Sequence, residues 1–270
     1  MPATRPPLLY SSLAPLWRLL SPPSDYLAEA QQVLDLLHAA WRSDPPFDTE
    51  SQPNSQSGSP SMPTLLELGC GGGHLMHHLT EDLRITGVDL SRDMLEACAA
   101  LNPDATLHWG DLRSIRLPER FDAVLIHDAC DYLLTPCDVA SAIQTARAHL
   151  KPAGALVLAP THLRETFTPG QTACDASHDI QSEAQVAWVE VLEDADPADD
   201  LYTLRLLITA RRDGKLEIYE DEHTCAMHPR ARWIELLRAE GFDPLPPPPP
   251  HDARAGEQPM EALTARLPRG

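Results

Sequence analysis

Through the middle of the chain, short apolar runs alternate with amphipathic segments of helix length. The runs are TLLEL (64–68), RITGVDL (84–90), ATLHW (105–109), FDAVLIH (121–127) and ALVLAP (155–160); the helical stretches are 73–80, 93–101 and 139–150. Apolar runs without polar alternation suit strands buried on both faces. Their alternation with helices predicts a parallel sheet built by right-handed crossovers, a doubly wound, Rossmann-like α/β core over 64–160.

The flanks follow other periods. Residues 24–41 place Leu27, Ala30, Val33, Leu34, Leu37 and Trp41 at helical spacing with Ser24 as N-cap, so residues 1–43 are expected to form a helical cover. Residues 44–63, rich in Pro, Ser, Gln and Asn, read as a flexible linker. Beyond Pro160, residues 186–192, 202–211 and 215–224 alternate with period two, and Asp213-Gly214 between the last two predicts a hairpin. An antiparallel β insertion over 161–228, after the fifth strand, is expected. Pro229 suits a helix N1 position ahead of Trp233, Leu236 and Leu237, with Gly241 as the stop. Residues 242–245 and the closing EALTARLP read as strands completing the sheet, on either side of a proline-rich loop at 246–250.

Composition narrows the partners. The chain has 270 residues, 43% of them hydrophobic, and a formal net charge of −19, which supports a packed core and repels polyanions; nucleic acid is not expected as a partner. No apolar stretch approaches the ~18 residues needed to span a bilayer. The N-terminal segment is broken by Pro15 and Arg18 and lacks a cleavage signature. The six cysteines (Cys70, Cys98, Cys130, Cys137, Cys174 and Cys225) show no CxxC spacing, so a reducing cytoplasm is the expected setting.

The segment LLELGCGGG (65–73) ends a strand and opens a helix. Gly69, Gly71 and Gly73 suit a turn that approaches a ligand closely, at the carboxyl end of a strand where open α/β sheets bind nucleotides. Glu67 discriminates between ligands, because its charge would repel the pyrophosphate of a dinucleotide, and His74 stands where that fingerprint wants a third glycine. A cationic nucleoside is preferred, and S-adenosylmethionine, with a sulfonium and no phosphate, meets the demand. Asp89, ending GVDLS, is placed to accept the ribose hydroxyls; Asp111 and the backbone of Leu112, in WGDLR, are placed for the adenine. An N-cap role is the alternative for Asp111.

ELGCGGG, VDLS, GDL and FDAVLIHD, in this order, resemble the four motifs of class I S-adenosylmethionine-dependent methyltransferases over residues 64–160. The resemblance implies that Glu67, Gly69, Gly71 and Gly73 form the methionine-side loop, that Asp89 holds ribose and Asp111 adenine, and that Cys70, Leu90, Met94, Leu112 and His127 complete the cofactor contacts. Stretches such as HLKPAGALVLAPTHLRETF and EDEHTCAMHPRARWIELLRAEGF are similar to bacterial sugar N,N-dimethyltransferases and, more distantly, to glycine N-methyltransferase. That likeness implies an insertion that walls the acceptor pocket and makes homodimer contacts, and an N-terminal tyrosine segment, here Tyr10 and Ser24-Asp25-Tyr26, over the cofactor. The sequence after the fourth strand, His-Asp-Ala-Cys-Asp, departs from the small hydroxyl residues and glycine usual in that group.

The acceptor is expected above the fourth-strand exit, where His127 is the candidate base and Asp128 a second catalytic candidate. Asp128 and Asp131 are placed to bind a cationic or polyhydroxy acceptor, with Tyr132 and His162 on the acceptor side. The structural alternatives are a strand-end histidine, turn-capping aspartates and a packed tyrosine. His74, His77 and His78 share one helix without a placed acidic or cysteine partner, and no metal site is expected. The reading is a transferase acting on a small-molecule acceptor, an amine such as an amino sugar. The alternatives are a cofactor-binding protein without turnover and a nicotinamide dinucleotide oxidoreductase.

Overall fold

The computed structural model describes residues 7–42, 62–179, 183–212, 214–246 and 260–269. The expected linker lies almost wholly outside these, as do Asp213 and most of the proline run.

Three 3-10 turns (Leu8–Tyr10, Ala14–Leu16, Pro23–Tyr26) and helices α1 (Trp17–Leu20) and α2 (Leu27–Trp41) lead into the core. The core runs β1 (Thr64–Leu68), α3 (His74–Leu79), β2 (Arg84–Asp89), α4 (Arg92–Leu101), β3 (Thr106–Trp109), β4 (Phe121–Ile126), a 3-10 turn (Asp128–Tyr132), α5 (Pro136–His149) and β5 (Leu150–Leu158). Then follow β6 (Thr172–Asp179), β7 (Ala184–Glu193), β8 (Leu201–Arg212), β9 (Lys215–Ala226), α6 (Arg230–Ala239), β10 (Asp243–Pro244) and β11 (Leu263–Arg266).

The first sheet has the order β10-β11-β5-β4-β1-β2-β3. Pairing is parallel from β3 through β5, and β11 is antiparallel to both its neighbours. β1 and β4 are buried along their whole length. Alternate side chains serve opposite layers: Leu66, Leu68, Val124 and Ile126 pack toward Val139, Ile143, Trp233 and Leu237 of α5 and α6, while Leu65 and Leu125 pack with Val33 and Leu37 of α2 and Met76 of α3. The same alternation turns Glu67 to the α2 side. The order in which successive strands are added reverses between the parallel neighbours β1 and β4, which opens a crevice at their carboxyl ends.

The second sheet is an antiparallel meander, β6-β7-β8-β9. Its inner face, through Val186, Leu206, Ile208 and Ala210, packs on Leu9, Leu13, Leu16 and Leu20 of the N-terminal segment. That segment is held between the insertion and the core. Among the described residues, no helix is long and apolar enough to cross a membrane.

Three local expectations change. Ser24 does not cap α2: Pro23 starts a 3-10 turn, Tyr26 is the residue before the helix, and the Ser24 hydroxyl bonds to Asp25 instead. Pro229 is extended (φ −65°, ψ 146°) and precedes α6 as its N-cap rather than entering it. β6 was not expected, because TACDASHD offers almost no apolar side to bury; it is an exposed edge strand held by its backbone ladder to β7.

Gly73 shows how tightly the glycine turn is set. It adopts φ +73°, and a Cβ there would stand 2.4 Å from the Cys98 sulfur and 2.5 Å from Asn102 Nδ2. Its glycine is required by neighbouring protein atoms, not by ligand approach. Gly73→Ala is expected to lower unfolding free energy by about 2–4 kcal/mol, from left-handed strain plus overpacking, read by urea unfolding; unchanged stability would remove this account of the turn.

Candidate active site

The turn after β1 is tied to the end of β2. The N–H groups of Gly69 and Cys70 both donate to Val88 O (2.7 and 3.0 Å). The Asp89 carboxylate then accepts from two backbones at once, Gly71 N–H on Oδ2 (2.8 Å) and Ser91 N–H on Oδ1 (2.7 Å). Ser91 in turn caps α4 by accepting from Met94 N–H, and its hydroxyl donates to Tyr10 O at 2.6 Å. Gly69 (φ +84°) approaches the β4 exit so closely that a Cβ would stand 2.3 Å from that of Ala129. The strand ends are thereby drawn into one rim.

Under this rim lies an electrostatic knot. Glu67 is 2% exposed and its Oε2 has no hydrogen-bond partner. Burial, with Cys98 adding to it and His127 opposing, pushes its carboxyl up to about 8. His127, also buried, faces Glu29 of α2 through Nε2 (3.2 Å) and Asp128 through Nδ1 (3.3 Å). Burial alone would lower its basicity, but the carboxylates of Asp128 and Glu29 carry it up to about 9. His127 is therefore an imidazolium near neutral pH with both nitrogens turned to acids. The lone pair expected of a base is not offered to a substrate.

The N-terminal segment roofs the crevice. Trp17 lies against the glycine turn, where a Cβ on Gly72 would stand 2.4 Å from the indole, and it stacks on His74. Tyr26 packs edge-on against His74 and His127. His74 Nδ1 and His78 Nε2 meet the carbonyls of Ser21 and Pro23, so these two histidines of α3 staple the segment in place.

Beside the rim is a cavity of about 250 Å³, walled by Tyr10, Tyr26, Asp128, Asp131, Tyr132 and His162 among the residues expected from sequence. Trp17, Trp188, Glu190 and Tyr202 also line it, and sequence reasoning missed them. The described lining includes no Lys or Arg. Asp128 is half exposed to this space. Asp131 is 3% exposed, and both its oxygens are taken, by Tyr202 Oη (2.6 Å) and Thr161 N–H (3.0 Å); burial, opposed by the Tyr202 bond, leaves its carboxyl near 7. His162 packs edge-on against Phe167 and Tyr202, and burial lowers its basicity.

Other expected contacts sit toward the edge. The Asp111 carboxylate is forked by its Arg113 guanidinium, which holds it below the usual carboxylate range. Leu112 packs against the core near the Gly69 turn, and Leu90 is 62% exposed at the rim. Met94 is buried, with its methyl against Gly71. Cys70 is buried behind the turn.

Residues 65–154 match the family model described as a methyltransferase domain. The dTDP-3-amino-3,4,6-trideoxy-alpha-D-glucopyranose N,N-dimethyltransferase of Streptomyces venezuelae is 34% identical over 153 residues, 56% of this chain and 57% of that protein. A second relative, the dTDP-3-amino-3,6-dideoxy-alpha-D-glucopyranose N,N-dimethyltransferase of Streptomyces fradiae, is 33% identical over 56% of this chain and 61% of its own length. The alignments thus span less than two thirds of either relative. Among solved structures, Streptomyces venezuelae DesVI matches with a TM-score of 0.70 at 25% identity, covering 90% of this chain and 92% of that one. CalS10, an amino pentose methyltransferase from Micromonospora echinaspora, shares the fold with a TM-score of 0.68 at 22% identity, covering 91% and 92%. The resemblance seen in the strand-end motifs is borne out for the core, as is the expected fold class.

The knot has a consequence for stability. Glu67 holds its proton to about pH 8 when folded, against an ordinary value of 4.5. His127 holds its own to about 9, against 6.5. Both values are raised, so both contributions are fully present below the unfolded values and are lost as pH rises through the folded ones. Unfolding free energy of the ligand-free protein should fall from about pH 5 to about pH 9, and Glu67→Gln should make the portion below about pH 7 less steep, with the raised Asp131 carboxyl supplying the slope that remains. Urea unfolding across that range reads it; parallel curves for the two proteins would contradict the buried charge assignment.

Proposed function

We propose that this chain is an S-adenosylmethionine-dependent methyltransferase that acts on the amine of a small molecule such as an amino sugar. The observation that carries the reading is the rim itself: a braced acidic fork at Asp89, and a buried Glu67 oxygen without a partner, beneath an aromatic roof. The orphaned oxygen fits the ammonium of the cofactor's methionine end, and the rim's acidic character disfavours a pyrophosphate. When bound, S-adenosylmethionine supplies an electrophilic methyl group on a sulfonium.

The residues divide the work. Gly69, Cys70 and Gly71 present the close backbone surface, with Gly73 holding the turn. Asp89 keeps lone pairs beyond its two backbone donors for the ribose hydroxyls, with Leu90 and Met94 beside them, and Asp111 and Leu112 stand on the adenine side. Tyr10 and Tyr26, with Trp17, exclude water from the reacting end. Asp128 supplies countercharge for a cationic acceptor, and His127 fixes Asp128 and Glu29 rather than drawing off a proton. Asp131 sets Tyr202 and Thr161 in the cavity wall, with Tyr132 and His162 beside them. Alignment of acceptor and methyl group is the main contribution asked of this site.

The two relatives named above are N,N-dimethyltransferases of dTDP-linked 3-amino sugars, and the amine reading extends that chemistry to this chain. A phosphate inside the cavity would face Asp128 and Glu190 with no cation among the described lining residues. Any carrier pyrophosphate therefore lies outside it. Exposed Val189, Leu207, Leu216 and Ile218 on the insertion would be covered in a homodimer, and a cytoplasmic setting suits the free cysteines.

Calorimetric titration with S-adenosylmethionine tests the site. Asp89→Ala should weaken binding by at least about tenfold, from the loss of one or more charge-assisted hydrogen bonds worth about 1.5 kcal/mol each, with circular dichroism confirming the fold. Unchanged affinity would overturn the ribose assignment. Mass spectrometry after incubation with dTDP-3-amino-3,6-dideoxyglucose and other small amines should show added methyl groups; tight cofactor binding without any methylated product would favour a binding protein without turnover.

A further inference from the structure

A line of hydrogen bonds that methyl transfer does not by itself require leaves the cavity through its wall. Tyr10 and Tyr132 both line the cavity, and Tyr132 Oη donates to Tyr10 Oη at 2.9 Å. On its other side Tyr132 Oη stands 2.6 Å from His223 Nδ1. His223 Nε2 lies 3.1 Å from Asp221 Oδ2. Against burial, bonds from His223 and from the N–H groups of Leu9 and Leu8 hold the Asp221 carboxyl below its ordinary range. The four side chains come from three separate parts of the chain: the N-terminal segment, the turn after β4, and β9.

We infer, resting on the amine reading above, that Tyr10, Tyr132 and His223 form a proton relay that deprotonates the acceptor ammonium, with Asp221 as the positioning residue behind it. An amine that enters protonated has no lone pair and cannot attack. For the transfer the two hydroxyls rotate from their direction in this structure, so that Tyr10 donates to Tyr132 and Tyr132 to His223 Nδ1, while His223 Nε2–H donates to Asp221. The acceptor N–H bond breaks as Tyr10 Oη gains that proton; Tyr10 passes its own proton to Tyr132, and Tyr132 passes its own to His223 Nδ1. The nitrogen keeps the electron pair, and Asp221 offsets the imidazolium charge. Afterwards Nδ1–H donates to Tyr132 and Tyr132 donates to Tyr10, which is the direction of the Tyr132 to Tyr10 bond in this structure. Each methyl added to an ammonium releases one proton, and the imidazolium returns it along the same line to water entering as product leaves.

Two neighbouring bases are engaged by protein groups. His127 is clamped between two acids, and Asp131 has both oxygens bonded. The groups facing His223 are Asp221 of its own strand, Tyr132 of the β4 turn, Tyr10 of the N-terminal segment and Glu190 of β7, with Cys225 of β9 close to Tyr132. One anion touches the ring directly, on the side away from the cavity.

Two measurements test the relay. In ligand-free protein with 15N-labelled histidine, the neutral His223 ring should carry its hydrogen on Nε2 and gain the second on Nδ1 as pH falls; a neutral ring protonated on Nδ1 could not accept from Tyr132 and would overturn the proposal. With S-adenosylmethionine and dTDP-3-amino-3,6-dideoxyglucose, Tyr132→Phe and His223→Gln should each lose about a hundredfold in kcat near neutral pH, the deficit closing in alkaline buffer where the amine is already neutral. A loss equal at every pH, or none near neutrality, would overturn it. A wild-type protein that methylates no amine would count against the function above, while the histidine spectra still decide the relay.

Discussion

One carboxylate organises the ligand side of this protein. Asp89 bonds the backbones of Gly71 and Ser91 together, so the glycine turn of β1 and the start of α4 hold a fixed spacing. From Ser91 the bonding continues to the Tyr10 carbonyl, and from the Tyr10 hydroxyl through Tyr132 and His223 to Asp221, whose carboxylate accepts Leu8 and Leu9 N–H. The path begins in the core sheet, crosses the N-terminal segment and returns to that segment from the insertion. The start of the N-terminal segment is thus held by both the core and the insertion, His74 and His78 hold it again at Ser21 and Pro23, and the stretch between roofs the crevice. Charge-assisted bonds to partly buried carboxylates suit the task, being roughly twice as strong as neutral ones.

Charge balance explains why the rim suits a cation. Glu29, Glu67 and Asp128 surround one imidazolium at His127, leaving the cluster short of positive charge. At about 4 Å a unit charge pair is worth about 1 kcal/mol in water and about 4 kcal/mol at an effective dielectric near 20. A sulfonium or ammonium placed beneath the aromatic roof gains the larger figure. The raised proton affinity of Glu67 belongs to the same balance: burial, among groups of its own sign, favours its neutral form.

The parts legible in sequence were those carried by contiguous residues. Five parallel strands followed from unalternated apolar runs, and the rim residues Glu67, Gly69, Asp89 and His127 followed from motifs at strand ends. β6 escaped because an edge strand needs backbone pairing more than apolar side chains. The role of Gly73 was misread because its crowding partners, Cys98 and Asn102, lie on another helix. His127 looked like a base because no sequence pattern brings Glu29, 98 residues earlier, to its Nε2. His223 and Asp221 carried no visible signal: alternate residues of a strand point to one face, and only the docking of that face on Tyr132 gives them a partner.

The same geometry separates amine from hydroxyl acceptors. A protonated amine holds its proton within a few pK units of imidazole, with neutral tyrosines only passing it on, so a relay ending at a histidine would suit such an acceptor. A sugar hydroxyl holds its proton far more tightly, and removing it would call for a strong base or a metal ion touching the oxygen directly. The described cavity wall offers the carboxylates of Asp128 and Asp131, already bonded to protein, and Glu190, with no metal-binding cluster among the described residues. Its acidic and aromatic surface would gather a cation and do little for an alkoxide, whose charge it would repel. On the proposed function, the wall that would bind the amine would also reject an oxygen nucleophile, so that both forms of selectivity would come from one set of side chains.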